Sequence, residues 1–134
     1  MASPTTIGRV HHFHRIMTLA EINANTRAGT IAVPGLSGRR LKLVDYWARA
    51  LGGNLGGCTA LIITDTVPTT IISHTVATLT QNSVVRMGSS GDTCTNAGTI
   101  LGENAGLRVG CTVADATTAT GGVEVYVEYV ICTE

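Results

Sequence analysis

Hydrophobic and polar positions alternate most regularly near the end of the chain. Val123, Val125, Val127, Tyr129 and Ile131 share one phase, while Glu124, Tyr126, Glu128 and Val130 share the other. Successive side chains leave a pleated strand on opposite faces, so a period of two over this length predicts a half-buried β-strand. Leu107, Val109, Cys111 and Val113 repeat the alternation. Within residues 39–51 the phase changes: Leu41 and Leu43 keep one phase, and Val44, Tyr46, Ala48 and Ala50 keep the opposite one. A flip inside one run predicts a β-bulge, whose extra residue re-aims the remainder of the strand.

Further strands are expected at 9–17, 28–33, 58–65, 69–74 and 83–88. Thr18-Leu19-Ala20-Glu21 fits a capping box, in which hydroxyl and carboxylate each satisfy a backbone donor. It predicts one short helical turn near residues 19–24. Pro34-Gly35, the segment Gly52 to Gly57, Thr66-Val67-Pro68 and the polar stretch 88–98 read as turns or loops. A turn or short helix is expected near 75–80. Residues 1–8 read as a flexible N-terminal arm, leaving 9–134 as a single β-sandwich domain. About eight short strands separated by turn clusters predict an all-β, jelly-roll-like antiparallel β-sandwich rather than a parallel sheet.

Composition agrees with that class. The 134 residues suit one domain with one core. Thr supplies roughly one residue in six, and with Val and Ile it gives a β-branched composition that favours strands. Only 13% of residues are charged, and nine basic residues balance nine acidic ones. A neutral chain lacks the positive excess that nucleic-acid binding requires, so no nucleic-acid partner is expected. It also lacks the long-range repulsion that keeps copies apart, which permits self-assembly. No signal-peptide pattern and no uncharged apolar run approaching 18 residues occurs, so no membrane partner is expected either. Cys58, Cys94, Cys111 and Cys132 form no C-x-x-C pair, and with an intracellular origin they are expected as reduced thiols acting as small core residues.

The candidate chemistry is sparse. His12 and His14 fall on one strand face, a pair able to chelate zinc or iron and suggestive of the cupin H-x-H element. The next carboxylate, Glu21, lies seven positions on and already serves the capping box, and no third His follows Pro34-Gly35. Gly88-Ser89-Ser90-Gly91 has the wrong spacing for a nucleophile elbow. Ser73 and His74 are adjacent, so a strand points them apart. The Gly52 to Gly57 segment lacks the Lys-Ser/Thr of a phosphate loop and reads as a turn using positive φ. Asp65, Asp92 and Asp115 form no calcium loop. No catalytic residue, cofactor or metal is therefore expected. Trp47 reads equally as core or as interface anchor, and the basic cluster Arg39, Arg40 and Lys42 reads as a strand-edge guard or a docking patch. These four residues are the candidate interface.

A resemblance runs through Arg15-Ile16-Met17-Thr18-Leu19-Ala20-Glu21-Ile22-Asn23-Ala24, Leu41-Lys42-Leu43-Val44-Asp45, Ala50-Leu51-Gly52-Gly53-Asn54, Val76-Ala77-Thr78-Leu79-Thr80-Gln81 and the strand from Val125 to Ile131. Through these the chain resembles the small head proteins of tailed bacteriophages that decorate or cement the capsid. The resemblance implies a non-enzymatic jelly roll or related sandwich, made in the host bacterial cytoplasm and carried on the virion surface. It further implies binding to the major capsid protein and self-association as a homodimer or homotrimer. A second expectation is another virion component, such as a head-fibre base or a tail-associated module recognising carbohydrate. A third is a small cupin-like metalloenzyme centred on His12 and His14.

Overall fold

The computed structural model describes residues 5–65, 70–86, 92–94, 100–102 and 104–133. Nine strands are seen among them: β1 (Thr5–Met17), β2 (Thr30–Val33), β3 (Arg40–Leu51), β4 (Ala60–Asp65), β5 (Thr70–Thr75), β6 (Val84–Arg86), β7 (Asp92–Cys94), β8 (Leu107–Cys111) and β9 (Gly122–Thr133). One helical turn, α1 (Leu19–Asn23), follows β1, and a 3-10 turn spans Val76–Thr78. Among the described residues no helix is long and apolar enough to cross a membrane. The strands form a four-stranded sheet ordered β1-β9-β3-β6 and a five-stranded sheet ordered β2-β8-β4-β5-β7.

The pairings are nested. β4 pairs with β5, β3 with β6, β2 with β8 and β1 with β9, all antiparallel. They describe one long hairpin ribbon, and β9·β3 and β8·β4 are the contacts made when that ribbon is rolled into two sheets. This is the jelly-roll-like antiparallel sandwich expected from the pattern, with β7 added at one edge. Three boundaries differ from expectation. β8 ends at Cys111, so Val113, which the alternation placed in the same strand, lies beyond it at positive φ. Residues 5–8 belong to β1 rather than to an arm, because Thr5, Thr6 and Ile7 lie opposite Thr133, Cys132 and Ile131 of β9. The polar stretch 88–98 contains β7, which pairs Asp92, Thr93 and Cys94 with His74, Ser73 and Ile72.

Local sequence explains the elements. Thr18 Oγ1 accepts the Glu21 N–H at 3.2 Å and Glu21 Oε1 accepts the Thr18 N–H at 3.1 Å, the reciprocal capping box. The phase flip in β3 is a bulge: Leu43 faces Tyr129 and Asp45 faces Glu128, leaving Val44 as the extra residue, turned outward. The alternation alone grouped Val44 with Tyr46, Ala48 and Ala50, and those three are the ones that point inward. The core joins Leu41, Leu43, Tyr46, Ala48 and Ala50 of β3 and Val123, Val125 and Val127 of β9 to Leu61, Ile63, Ile72, Leu107 and Val109 of the other sheet. Tyr46 and His74, one from each sheet and both fully buried, stack with ring centroids 5.2 Å apart and planes at 16°.

Backbone strain is concentrated after α1 and after β8. Asn25, Thr26 and Arg27 take φ of 55°, 54° and 71°, a left-handed turn closed by Gly29 N–H donating to the Ala24 carbonyl at 2.9 Å. Val113 takes φ of 73° with its side chain 77% exposed. A β-branched residue in that region costs about 1–2 kcal/mol and here recovers little by burial. Val113→Asn is therefore expected to raise the unfolding free energy by about 1 kcal/mol. Leu61→Ala, which empties a fully buried site, is expected to lower it by about 2–5 kcal/mol. Urea titration of both variants checks the pair.

Candidate functional site

Paired residues of an antiparallel sheet share a face, so the register of β9 with its neighbours sets what the outer side of its sheet presents. Ile16, Glu124, Arg49 and Val84 form one cross-strand row. His14, Tyr126, Trp47 and Arg86 form the next, and His12, Glu128 and Asp45 a third. Each row takes one residue per strand, and the Val44 bulge is what places Asp45, Trp47 and Arg49 in register with β9. Without the extra residue these side chains would enter the core and Tyr46 would leave it.

Aromatic rings occupy the middle of this face. Tyr126 and Trp47 are stacked, with centroids 5.6 Å apart and planes at 15°. His14 closes on both, at 6.0 Å from Tyr126 and 5.8 Å from Trp47, and His12 stacks on Tyr126 at 6.1 Å. Offset and edge-to-face pairs at such separations are favourable beyond simple area burial. Trp47 and Tyr126 are both half-buried, each ring covering its neighbour while leaving part of its surface to solvent. Strands of the same sheet also carry four exposed large hydrophobic residues: Val10 and Ile16 on β1, Val44 at the bulge of β3 and Val84 on β6.

Charge surrounds the rings. Glu124 accepts from His14 Nε2 at 2.7 Å through one oxygen, and from Arg49 Nε at 2.9 Å and Nη2 through the other. Its side chain is only 12% exposed. Burial opposes its ionisation, but the hydrogen bonds from His14 and Arg49 and their charge outweigh that and hold the carboxyl below its ordinary value. Tyr126 donates its hydroxyl to Glu128 at 2.6 Å, and the carboxylate pushes the phenol above its ordinary value. Arg86 Nη1 lies 3.8 Å from Asp45 Oδ2. Glu124 is thus held as an acceptor by two partners, and the Tyr126 hydroxyl is committed as a donor.

The sequence-derived candidates divide unevenly. Trp47 is on the outer face, inside the aromatic cluster. Arg40 and Lys42 point to the same face before the bulge, beside Cys132 and Val130 of β9, and Arg39 is exposed in the turn preceding β3. The basic residues thus flank the cluster from one end of β3 without joining it. His12 and His14 share a face as predicted, but on the outside of the sandwich, where their neighbours are Tyr126, Glu124 and Glu128. Glu21, the carboxylate weighed as their partner, pairs with Arg15 and caps α1. Ser73 and His74 point apart, His74 into the core. Among the described residues no group of three or more His, Cys, Asp or Glu is placed to hold a metal ion, and there is no enclosed pocket. Glu124 and Tyr126 were not foreseen as members of a site. Their signal was the polar phase of β9 together with that of β3, which becomes a cluster only once the strands are paired.

Fold and face together define an all-β sandwich bearing one aromatic and ion-paired outer sheet surface. No protein-family model, no curated protein and no solved structure matches the chain.

The Glu124 network makes stability depend on pH with a definite sign. A carboxyl held below its ordinary value binds fewer protons folded than unfolded, so its contribution is present above the unfolded value and lost as pH falls through the folded one. Glu124→Gln is expected to cost about 1–2 kcal/mol at neutral pH. The gap to wild type should narrow as pH falls below 4.5, the carboxyl's ordinary value. Urea titrations of both proteins across that range check the direction, and a gap independent of pH would assign the cost to packing alone.

Proposed function

We propose that this protein is a bacteriophage virion structural protein that decorates and cements the outer surface of the capsid. In this reading it binds the major capsid protein through the outer face of the β1-β9-β3-β6 sheet. The observation that carries the reading is the row of His14, Tyr126 and Trp47, a part-exposed aromatic cluster on a sheet whose strands also expose Val10, Ile16, Val44 and Val84. Aromatic and Arg side chains held rigid in a partly desolvated patch are the groups on which protein interfaces concentrate binding energy. The resemblance in sequence to head decoration proteins supports the same class.

Cementing follows from linkage. A protein that binds the expanded shell and not its precursor stabilises the expanded state by mass action. Many copies bridging adjacent subunits add avidity without a tight single contact. Self-association as a dimer or trimer would multiply that effect, and zero formal net charge does not oppose it.

The parallel stacking of Trp47 on Tyr126 favours one second reading, a head-fibre base or tail-associated module that recognises carbohydrate. The apolar face of a sugar ring packs against such a platform.

Mass in solution and co-sedimentation with shells lacking the protein test the first reading. A dimer or trimer that sediments with expanded but not unexpanded shells is the expected result. Trp47→Ala should weaken that binding by at least about tenfold. A monomer that ignores both shells would overturn the capsid reading, and quenching of Trp47 fluorescence by host-surface oligosaccharides would then select the second.

A further inference from the structure

The start of β4 and the end of β8 bring two cysteines together. Gly57 takes φ of +78°, and a Cβ there would come within 2.4 Å of the Asp115 carbonyl oxygen, so only glycine allows the two chain segments to approach this closely. The next residue is Cys58. Thr59 N–H then donates to the Thr112 carbonyl at 3.1 Å, Thr112 N–H donates to the Ala60 carbonyl at 3.0 Å, and Leu61 lies opposite Cys111. Cys58 and Cys111 therefore flank a single antiparallel contact, and both side chains are buried in the same core. Each thiol is close enough to the other to perturb its ionisation. Cys111 Sγ is also 3.3 Å from Asn23 Oδ1 and 3.6 Å from the Ala114 carbonyl. The same Asn23 oxygen accepts the Ala116 N–H at 2.7 Å, which ties the Cys111 thiol to a fixed polar neighbour.

We propose that Cys58 and Cys111 constitute a latent intramolecular disulfide site, closed by thiol–disulfide exchange when the folded chain meets a small disulfide such as glutathione disulfide. One cysteine, as thiolate, attacks a sulfur of the oxidant and expels one glutathione thiolate. The other, as thiolate, then attacks the protein-bound sulfur of the mixed disulfide and expels the second. Two protein thiols are oxidised to one disulfide, one glutathione disulfide is reduced to two thiols, and the two protons pass to the departing glutathiones. Cys132 lies in the opposite sheet, on β9, where its neighbours across the strands are Thr6 and Arg40. The bond would tie the entry to β4 to the exit from β8, two places already joined by backbone hydrogen bonds, and it does not depend on the proposed capsid role.

Closure in the folded protein is slow at neutral pH. Burial first, and the neighbouring Cys111 second, push the Cys58 thiol up to about 11, so little thiolate is present. The rate should therefore keep climbing at pH values where an exposed thiol has already levelled off near its ordinary pKa.

The test incubates the folded, fully reduced protein with glutathione disulfide at mildly alkaline pH. Remaining thiols are alkylated in denaturant, and the product is digested with trypsin and a Glu-specific protease. These cuts separate Cys58 in fragment 50–86, Cys111 in fragment 109–124 and Cys132 in fragment 129–134. The expected product is lighter by about 2 Da, retains two alkylatable thiols, and links fragment 50–86 to fragment 109–124. Its melting temperature should exceed that of the reduced protein by several degrees. Four alkylatable thiols after prolonged oxidation, a lasting glutathione adduct on Cys58, or a link from fragment 50–86 to Cys94 or Cys132 would each overturn the proposal. The wild-type map decides the question even where Cys58→Ser folds poorly.

Discussion

Strand β9 lies between β1 and β3 and pairs with both along nearly its whole length. Two edges and two faces of the same twelve residues are thereby fixed at once. Val123, Val125 and Val127 must fill the space between the sheets, which forces Glu124, Tyr126 and Glu128 outward in a line. A slip of one residue would exchange the sets, placing two carboxylates in the core and three valines in solvent. The outer aromatic face is thus the obligatory reverse of the core. Its geometry is as rigid as the packing behind it.

That rigidity gives the ion-paired row its character. Glu124 stands close to an apolar layer, where an unaccompanied carboxylate would be expensive. His14 and Arg49 reach it from strands on either side, each engaging a different oxygen, so the charge is satisfied by partners whose backbones cannot drift apart. Exposed ion pairs contribute little on average because two long side chains must be ordered to form them. Here neighbouring rings already restrict His14, and the strand pairing aligns Arg49, so less freedom remains to be lost. The tied-up charges leave the exposed ring surface as the adaptable part of the face.

Much of the fold was legible because its signals are local. The alternation in β9 needs no knowledge of a partner, the Thr18–Glu21 box carries both halves of its own bond, and the flip between Leu43 and Tyr46 marks a bulge by parity alone. Less was legible where pairing decides. Thr5 and Thr6 look like part of a polar tail until Thr133 and Cys132 are set beside them. β7 is hidden in a polar stretch because its strand character comes from the edge of β5 rather than from its own apolar pattern. Trp47 could not be assigned to core or surface from sequence, since parity on either side of a bulge depends on which residue is extra. Tyr126, Glu124 and Arg49 form a cluster only across strands separated by some seventy residues or more in sequence, a separation that no spacing rule spans.

The nested pairing also orders events in time. The innermost hairpin, β4 with β5, closes a short loop, and each outer pair must wait for a longer one. β1 finds its partner only after β9 has been synthesised, roughly a hundred residues later, so the sheet bearing the aromatic face is the last to complete. At elongation rates of about 5–20 residues per second, β1 stays without that partner for seconds on the ribosome. During that interval its unpaired edge is open to other extended chains, including a neighbouring nascent copy. Ribosome-bound chaperones that cover extended segments would act on this protein at its first strand rather than at its core.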